Sequence, residues 1–384
     1  MLQSKKRTWV EIDENKIVHN YRVMDKHIHD TKIMAVVKAD AYHHGDVQVA
    51  TLLENEGCDF FAVSSVDEAV HLRQNGIKAN ILILGFTPSE HFHYLHELDI
   101  VQCVFSTEFA QELNTYATTQ NVKIRVHIKV DTGMGRIGFP CLDDNYHIDE
   151  VKAVYTCDHL EVEGVFSHFS VADTFDRDDD EVYTFHQIEL YERVLQDLAV
   201  ANLPVKIKHI QNSYGAINYP DLPYDYARVG ILLLGNTSDD AQPLKVPCEL
   251  EPVLTWKAQI SCVKQVKAGT YIGYGRNYQA TSDIQVATVA CGYADGLNRN
   301  ASHKGLQVLV KGKRCTIIGN ICMDQFMIDA TGLDVHCEDE VTIVGIDGDE
   351  VIKIDELSRA ANTINNESFT LLASRVPRFY IKKD

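Results

Sequence analysis

The stretch "AVVKADAYHHG", residues 35–45, puts a lysine directly after a short apolar run. A carboxylate, a phenol, two imidazoles and a glycine follow it. The apolar run reads as a buried strand that ends in Lys38. An ammonium there is costly unless it is paired or neutralised. The segment therefore asks what the chain does with an amine at a strand end.

The surrounding sequence repeats the same rhythm. After "IMAVV" (33–37) come "FFAVSS" (60–65), "ILILG" (81–85), "IVQCVF" (100–105), "IRVHIKV" (124–130), "VEGVFSHF" (162–169), "IKHIQN" (207–212) and "ARVGILLLG" (227–235). Near-continuous apolar runs suit parallel strands covered on both faces. Helix signals fill the gaps. Asp46 is predicted to cap a helix closed by Gly57, "SVDE" (65–68) and "TPSE" (87–90) read as capping boxes, and Pro88 takes a first helical position. Eight strands alternating with helices over about 200 residues predict an N-terminal (β/α)8 TIM-like barrel. A doubly wound open sheet fits the alternation equally.

From Pro243 to Pro252 the rhythm changes. "VLTWKAQISCVKQV", "IQVATVACGY", "GLQVLVKGKRCTIIG" and "DEVTIVGIDGDEV" read as short strands joined by turns, and a helical pattern returns only near "IDELSRAANTI". The fold class is thus α/β, a barrel over residues 12–242 followed by a mostly β domain over 243–384.

Composition narrows the function. The chain has 384 residues, 45% of them apolar, and a net charge of −19. That charge argues against broad binding to nucleic acid or to an anionic membrane. No apolar run reaches the ~20 residues of a membrane span, and the first residues turn charged too soon for a secretory signal. Ten scattered cysteines without a C-x-x-C pair fit reduced thiols in a cytoplasmic protein.

In a barrel, chemistry gathers at the C-terminal ends of the strands. Those ends supply Lys38, Lys129, His168, Asn212 with Ser213, and Arg228 with Gly230. A desolvated lysine loses its proton and can form a Schiff base with a carbonyl. If that carbonyl belongs to pyridoxal phosphate, a phosphate site is needed. Tyr42, Ser213 and the Gly230 and Ile231 amides provide donors for one.

The lysine segment resembles the cofactor-lysine signature of the alanine racemases, pyridoxal-phosphate enzymes of fold type III. The likeness continues in order through "TWVEID", "KVDTGMGRIGF", "FSHFSVAD", "QNS", "ARVGILLLG", "YGRNY", "CGYADG", "GNICMDQFMID" and "SRVPR". It implies a homodimer with shared active sites, in which residues 1–11 join the C-terminal β domain. It implies that Lys38 holds the cofactor and is the base for the D enantiomer. Tyr274, from the partner chain, would be the base for the L enantiomer, with His168 close to it and to Arg228. Arg228 would face the pyridine nitrogen, where a guanidinium cannot donate a proton to the ring, so transamination is disfavoured. Arg136, Met323 and Tyr293 would bind the amino-acid substrate, and Lys129 matches a lysine carbamylated in many members. The implied role is interconversion of L- and D-alanine for peptidoglycan synthesis.

Other readings compete. "GMGRIG" (133–138) matches a dinucleotide fingerprint, but it follows the fifth strand and encloses Arg136. "HFHYLHE" (91–97) lacks a metal-ligand spacing and reads as an amphipathic helix, so no metal is expected. Cys322 reads as a packed thiol. A decarboxylase of the same cofactor fold would need a glycine-rich phosphate loop that is absent, and a non-enzymatic pyridoxal-phosphate carrier would lack the β domain. Two positions depart from the family pattern. His43 replaces a glycine, for no reason the sequence offers. Ser374 replaces a tyrosine that contacts the cofactor phosphate, which opens space for a serine or broad-specificity racemase.

Overall fold

The computed structural model describes residues 7–173, 179–239 and 244–382. The expected domain boundary between 242 and 243, and residues 174–178 of the acidic stretch 173–183, lie outside them.

Eight parallel strands form a nearly closed barrel: Lys32–Val36, Phe60–Val63, Asn80–Ile83, Val101–Val104, Ile124–Asp131, Leu160–Phe166, Ile207–His209 and Tyr226–Val229. The last strand returns to pair with the first, Arg228 opposite Met34. Across the remaining seam, Asp225 N–H donates to Lys208 O at 2.9 Å and Arg228 N–H to Gln211 O at 3.0 Å. Strand alternation divides the apolar residues. Met34, Val36, Phe60, Ala62, Leu82 and Val101 form one buried cluster with Tyr226. Ile33, Ala35, Val37, Phe61, Val63 and Ile81 belong to the larger core, which also holds residues of the covering helices.

The predicted strands appear, with local corrections. "ARVGILLLG" is a strand only to Val229; Gly230 breaks it at φ −125°, ψ −87°, and Ile231–Leu234 form a buried 3-10 turn. Asp46 does not cap its helix. It is the first residue of Asp46–Asn55, with Gly45 before it at φ 92°, and its N–H donates to Asp40 Oδ1 at 3.0 Å. Pro88 is extended, at ψ 144°, and precedes a 3-10 turn, because the Thr87 hydroxyl is spent on buried Gln102 at 2.7 Å. Ser65 does cap Val66–Gln74, but Glu68 turns away from it to the N–H groups of Ser64 and Ala39, both at 2.7 Å.

The remaining part holds a nine-stranded sheet, a separate two-stranded sheet of Tyr271–Ile272 with Tyr278–Gln279, and the helices Ile354–Ala361 and Asn365–Thr370. The larger sheet contains the predicted hairpins Gln307–Val310 with Lys313–Ile318 and Glu340–Asp347 with Glu350–Ile352. The strand Thr8–Asp13 also lies in this sheet, antiparallel to Leu254–Val266 and parallel to Arg378–Ile381. Among the described residues no helix is long and apolar enough to cross a membrane.

Candidate active site

Directly after the first barrel strand the backbone turns left-handed. Ala39, Asp40, Ala41, Tyr42 and His43 have φ of 53°, 55°, 48°, 54° and 61°. Each such residue costs roughly 1–2 kcal/mol, and aspartate tolerates the region better than most. The turn is held from several sides. Ala39 N–H donates to Glu68 Oε1, Gly45 N–H to Asp40 O at 2.9 Å, and Arg378 Nε to His43 O at 3.1 Å. Lys38 and Tyr42 both line a cavity of about 420 Å³ at this rim.

The cavity gathers Lys129, Arg136, His168, Asn212, Ser213, Arg228, Gly230 and Ile231 as well. Four of the sequence-selected residues lie elsewhere. Tyr274, Tyr293 and Met323 are 71%, 41% and 53% exposed, and Ser374 is exposed in the loop before Arg378–Ile381. None of the four lines the cavity within one chain.

Arg228 is buried, and all its recorded acceptors are neutral. Its Nη1 donates to His209 Nδ1 at 2.6 Å and His209 O at 3.2 Å; its Nη2 donates to the carbonyls of Ser167 and Ile210 and to His168 Nδ1 at 3.0 Å. Accepting at Nδ1 fixes the tautomer of each histidine, with the proton on Nε2. His209 Nε2 then donates to His127 Nδ1 at 2.9 Å. Burial, then Arg228, holds His168 and His209 well below the usual imidazole range. Sequence reasoning passed over His127 and His209. The available signal was a lone imidazole inside each of two apolar runs.

Burial lowers the amine of Lys38, with Arg136 the next cause, and lowers Lys129 to about 8. Lys129 Nζ donates to Val130 O at 2.5 Å. The "GMGRIG" loop is organised by Asp131, whose carboxylate accepts from the N–H groups of Gly133, Met134 and Gly135. A short strand, Phe139–Pro140, follows it rather than a helix, so the dinucleotide fingerprint has no helix N-terminus to offer.

The residues at the Tyr42 end fit a phosphate. Burial pushes the Tyr42 phenol up to about 12, which keeps it a donor at neutral pH. A Cβ on Gly230 would meet Tyr42 Oη at 2.5 Å, so glycine is what lets the phenol lie against that backbone. Gly230 N–H reaches Ser213 Oγ at 3.0 Å, and Asn212 caps the next turn by accepting from Gly215 N–H. An amine at one end and neutral donors around a glycine cradle at the other is a donor set suited to pyridoxal phosphate.

Family models for the alanine racemase N-terminal and C-terminal domains match residues 12–238 and 253–380. The chain belongs to the alanine racemase family. Alanine racemase 1 of Clostridium acetobutylicum is 37% identical over 384 residues, covering 100% of this chain and 97% of the relative. The solved alanine racemase of Clostridium difficile 630 superposes with a TM-score of 0.90 at 36% identity, covering 99% and 97% of the two chains. A solved histidine racemase from Leuconostoc mesenteroides subsp. sake reaches 0.86 at 29% identity, with 98% of each chain covered. Alanine racemases are isomerases that interconvert the enantiomers of alanine.

Proposed function

We propose that this chain racemises alanine with pyridoxal phosphate held on Lys38, as a cytoplasmic homodimer supplying D-alanine for peptidoglycan. The carrying observation is that the desolvated Lys38 amine shares one cavity with Arg136, Arg228 and the Tyr42–Ser213–Gly230 donors. When bound, pyridoxal phosphate supplies the electron sink that makes the Cα proton of the substrate labile.

The chain's own residues then divide the work. Lys38 Nζ, whose pKa burial lowers, takes or returns the Cα proton on one face. Tyr274 Oη serves the opposite face, because inversion needs a base on each side. The exposure of Tyr274, Tyr293 and Met323 in one chain fits a surface that a second copy covers while inserting Tyr274. Arg136 binds the substrate carboxylate. Arg228, anchored on carbonyls and neutral imidazoles, stays cationic and gives no proton to the cofactor ring. Lys129, lowered to about 8, has a sizeable neutral fraction, the form that reacts with carbon dioxide. Its carbamate would orient Arg136. Ten free cysteines fit a reducing compartment.

Borohydride reduction should fix the cofactor to Lys38, and racemisation in deuterated water should place deuterium at Cα of both product enantiomers. Label on another lysine, or release of carbon dioxide, would end this reading.

A second reading concerns specificity. The small Ser374 lies outside the cavity, and a structure of the same fold carries the name histidine racemase. The ring missing at position 374, rather than any contact the serine makes, and the neighbour's name favour acceptance of side chains larger than methyl. A panel of L-amino acids scored by product chirality decides it.

A further inference from the structure

We propose that Asn366 is an additional anchor for the cofactor phosphate, contributed by the C-terminal domain; this rests on the pyridoxal-phosphate reading above. Every other described residue lining the cavity precedes residue 240, and Asn366 alone comes from the C-terminal part of the chain.

Its place in the cavity follows from its neighbours. Asn366 lies on the short helix Asn365–Thr370, which packs against the turn Lys38–His43 that carries Tyr42. Phe369 of the same helix meets the edge of His44, ring centroids 4.9 Å apart. On its other side, Asn365 N–H donates to Ser238 O at 2.8 Å, and Ser238 N–H donates to Tyr214 Oη at 2.8 Å. Tyr214 follows Ser213, whose hydroxyl receives Gly230 N–H. Asn366 therefore shares the cavity with both halves of the phosphate cradle, Tyr42 and Ser213–Gly230, on a helix braced against the segments that carry them.

The helix is also firmly placed. Asn365 Nδ2 donates to Asp355 Oδ1 at 2.7 Å and to Thr237 O at 2.9 Å, while its Oδ1 accepts from Ser358 Oγ at 2.7 Å. Asn366, by contrast, has a buried Oδ1 with no hydrogen-bond partner. A buried amide oxygen left unpaired is unfavourable, and a side-chain amide can present either end by rotation. No described protein partner fixes this amide, so a phosphate would take its NH2 end. The neighbouring candidates Tyr42, Ser213 and the Gly230 backbone are uncharged, so an extra amide donor carries weight.

The test measures cofactor retention rather than turnover. The full-length chain and its Asn366→Ala and Asn366→Asp variants are dialysed to equilibrium against graded pyridoxal phosphate, and separately against pyridoxal, which lacks the phosphate. Asn366→Ala should raise the Kd for pyridoxal phosphate about tenfold, and Asn366→Asp, which sets a carboxylate against a dianion, roughly a hundredfold. The Kd for pyridoxal should stay within about twofold in both. Unchanged pyridoxal phosphate binding, or an equal loss for both probes, overturns the proposal. A wild-type chain in which borohydride labels no Lys38 overturns the underlying cofactor reading instead.

Discussion

Arg378 Nη2 lies 3.3 Å from His43 Nδ1, and Nε of the same guanidinium donates to the His43 carbonyl at 3.1 Å. The remaining donors reach the carbonyls of Leu372, Ala373 and Val376. One arginine of the C-terminal strand thus grips the end of the left-handed turn that carries Lys38 and Tyr42. It gives His43 a partner that a glycine at this position could not have. The φ of 61° at His43 suits glycine, and the contact with Arg378 offsets the strain of a side chain there.

His43→Gly should therefore be nearly neutral, since relief of about 1 kcal/mol of backbone strain balances the lost contact. Arg378→Ala leaves a group of backbone carbonyls without their donor and should cost about 3 kcal/mol or more. Urea unfolding of the two variants checks the order. A larger loss for His43→Gly would sink this account.

Gly230→Ala places a methyl against Tyr42 Oη. It should weaken pyridoxal phosphate binding about tenfold or more while leaving the fold intact. Tyr42→Phe removes the oxygen that the methyl meets, so the two substitutions should be strongly non-additive. Additive losses in a double-mutant cycle would show that the phenol and the glycine do not share a cradle.

Four buried imidazoles make the protein acid-sensitive. Burial depresses His44 to about 4 and His127 to about 3, and holds His168 and His209 well below the usual range. In the unfolded chain each takes a proton near pH 6.5. Below that pH the unfolded state binds more protons, so the contribution is complete above about 6.5 and is lost as the pH falls toward the folded values. Each group removes up to ~1.4 kcal/mol per pH unit in that window. Unfolding free energies measured from pH 8 to 4 should be level at first and then fall steeply below about 6. A level profile down to pH 5 would contradict the neutral assignment.

Tyr274→Phe should cripple hydrogen exchange at Cα of L-alanine far more than at D-alanine, read by deuterium incorporation in single turnovers. Equal losses for both enantiomers would remove the two-base assignment.

Ser374→Tyr tests the specificity reading. It should lower activity toward serine or histidine relative to alanine by about tenfold, the range one side-chain contact confers. An unchanged ratio would place the specificity elsewhere.

Much of this was legible in the sequence, for physical reasons that differ by residue. Lys38, Arg228 and His168 stand at or within apolar runs, and a charge or imidazole in such a run is conspicuous. The eight strands showed through their β-branched content. The left-handed turn did not, because Ala39, Ala41 and Tyr42 carry no mark of positive φ; tertiary contacts from Glu68 and Arg378 impose it. Asn366 was hidden for a similar reason. In "INNES" it is one of two adjacent asparagines, and only the packing of its helix against the Tyr42 turn brings it to the cavity. Glycines marked turns reliably, whereas of the predicted caps only Ser65 held, since Thr87 and Asp46 found other partners.

The strand Thr8–Asp13 has both its partners far along the chain, Thr8 opposite Ala258 and Val10 beside Arg378. A strand made before the whole barrel is therefore among the last to be paired. The barrel, whose strands all lie between Lys32 and Val229, is complete in sequence before that strand has a neighbour. Until residues 254–266 and 378–381 emerge, a nascent chain carries Trp9, Val10 and Ile12 on an unpaired edge, an invitation to chaperones or to aggregation. Loss of Arg378–Ile381 would strip the strand of its parallel neighbour, so damage there is felt about 370 residues earlier in the chain.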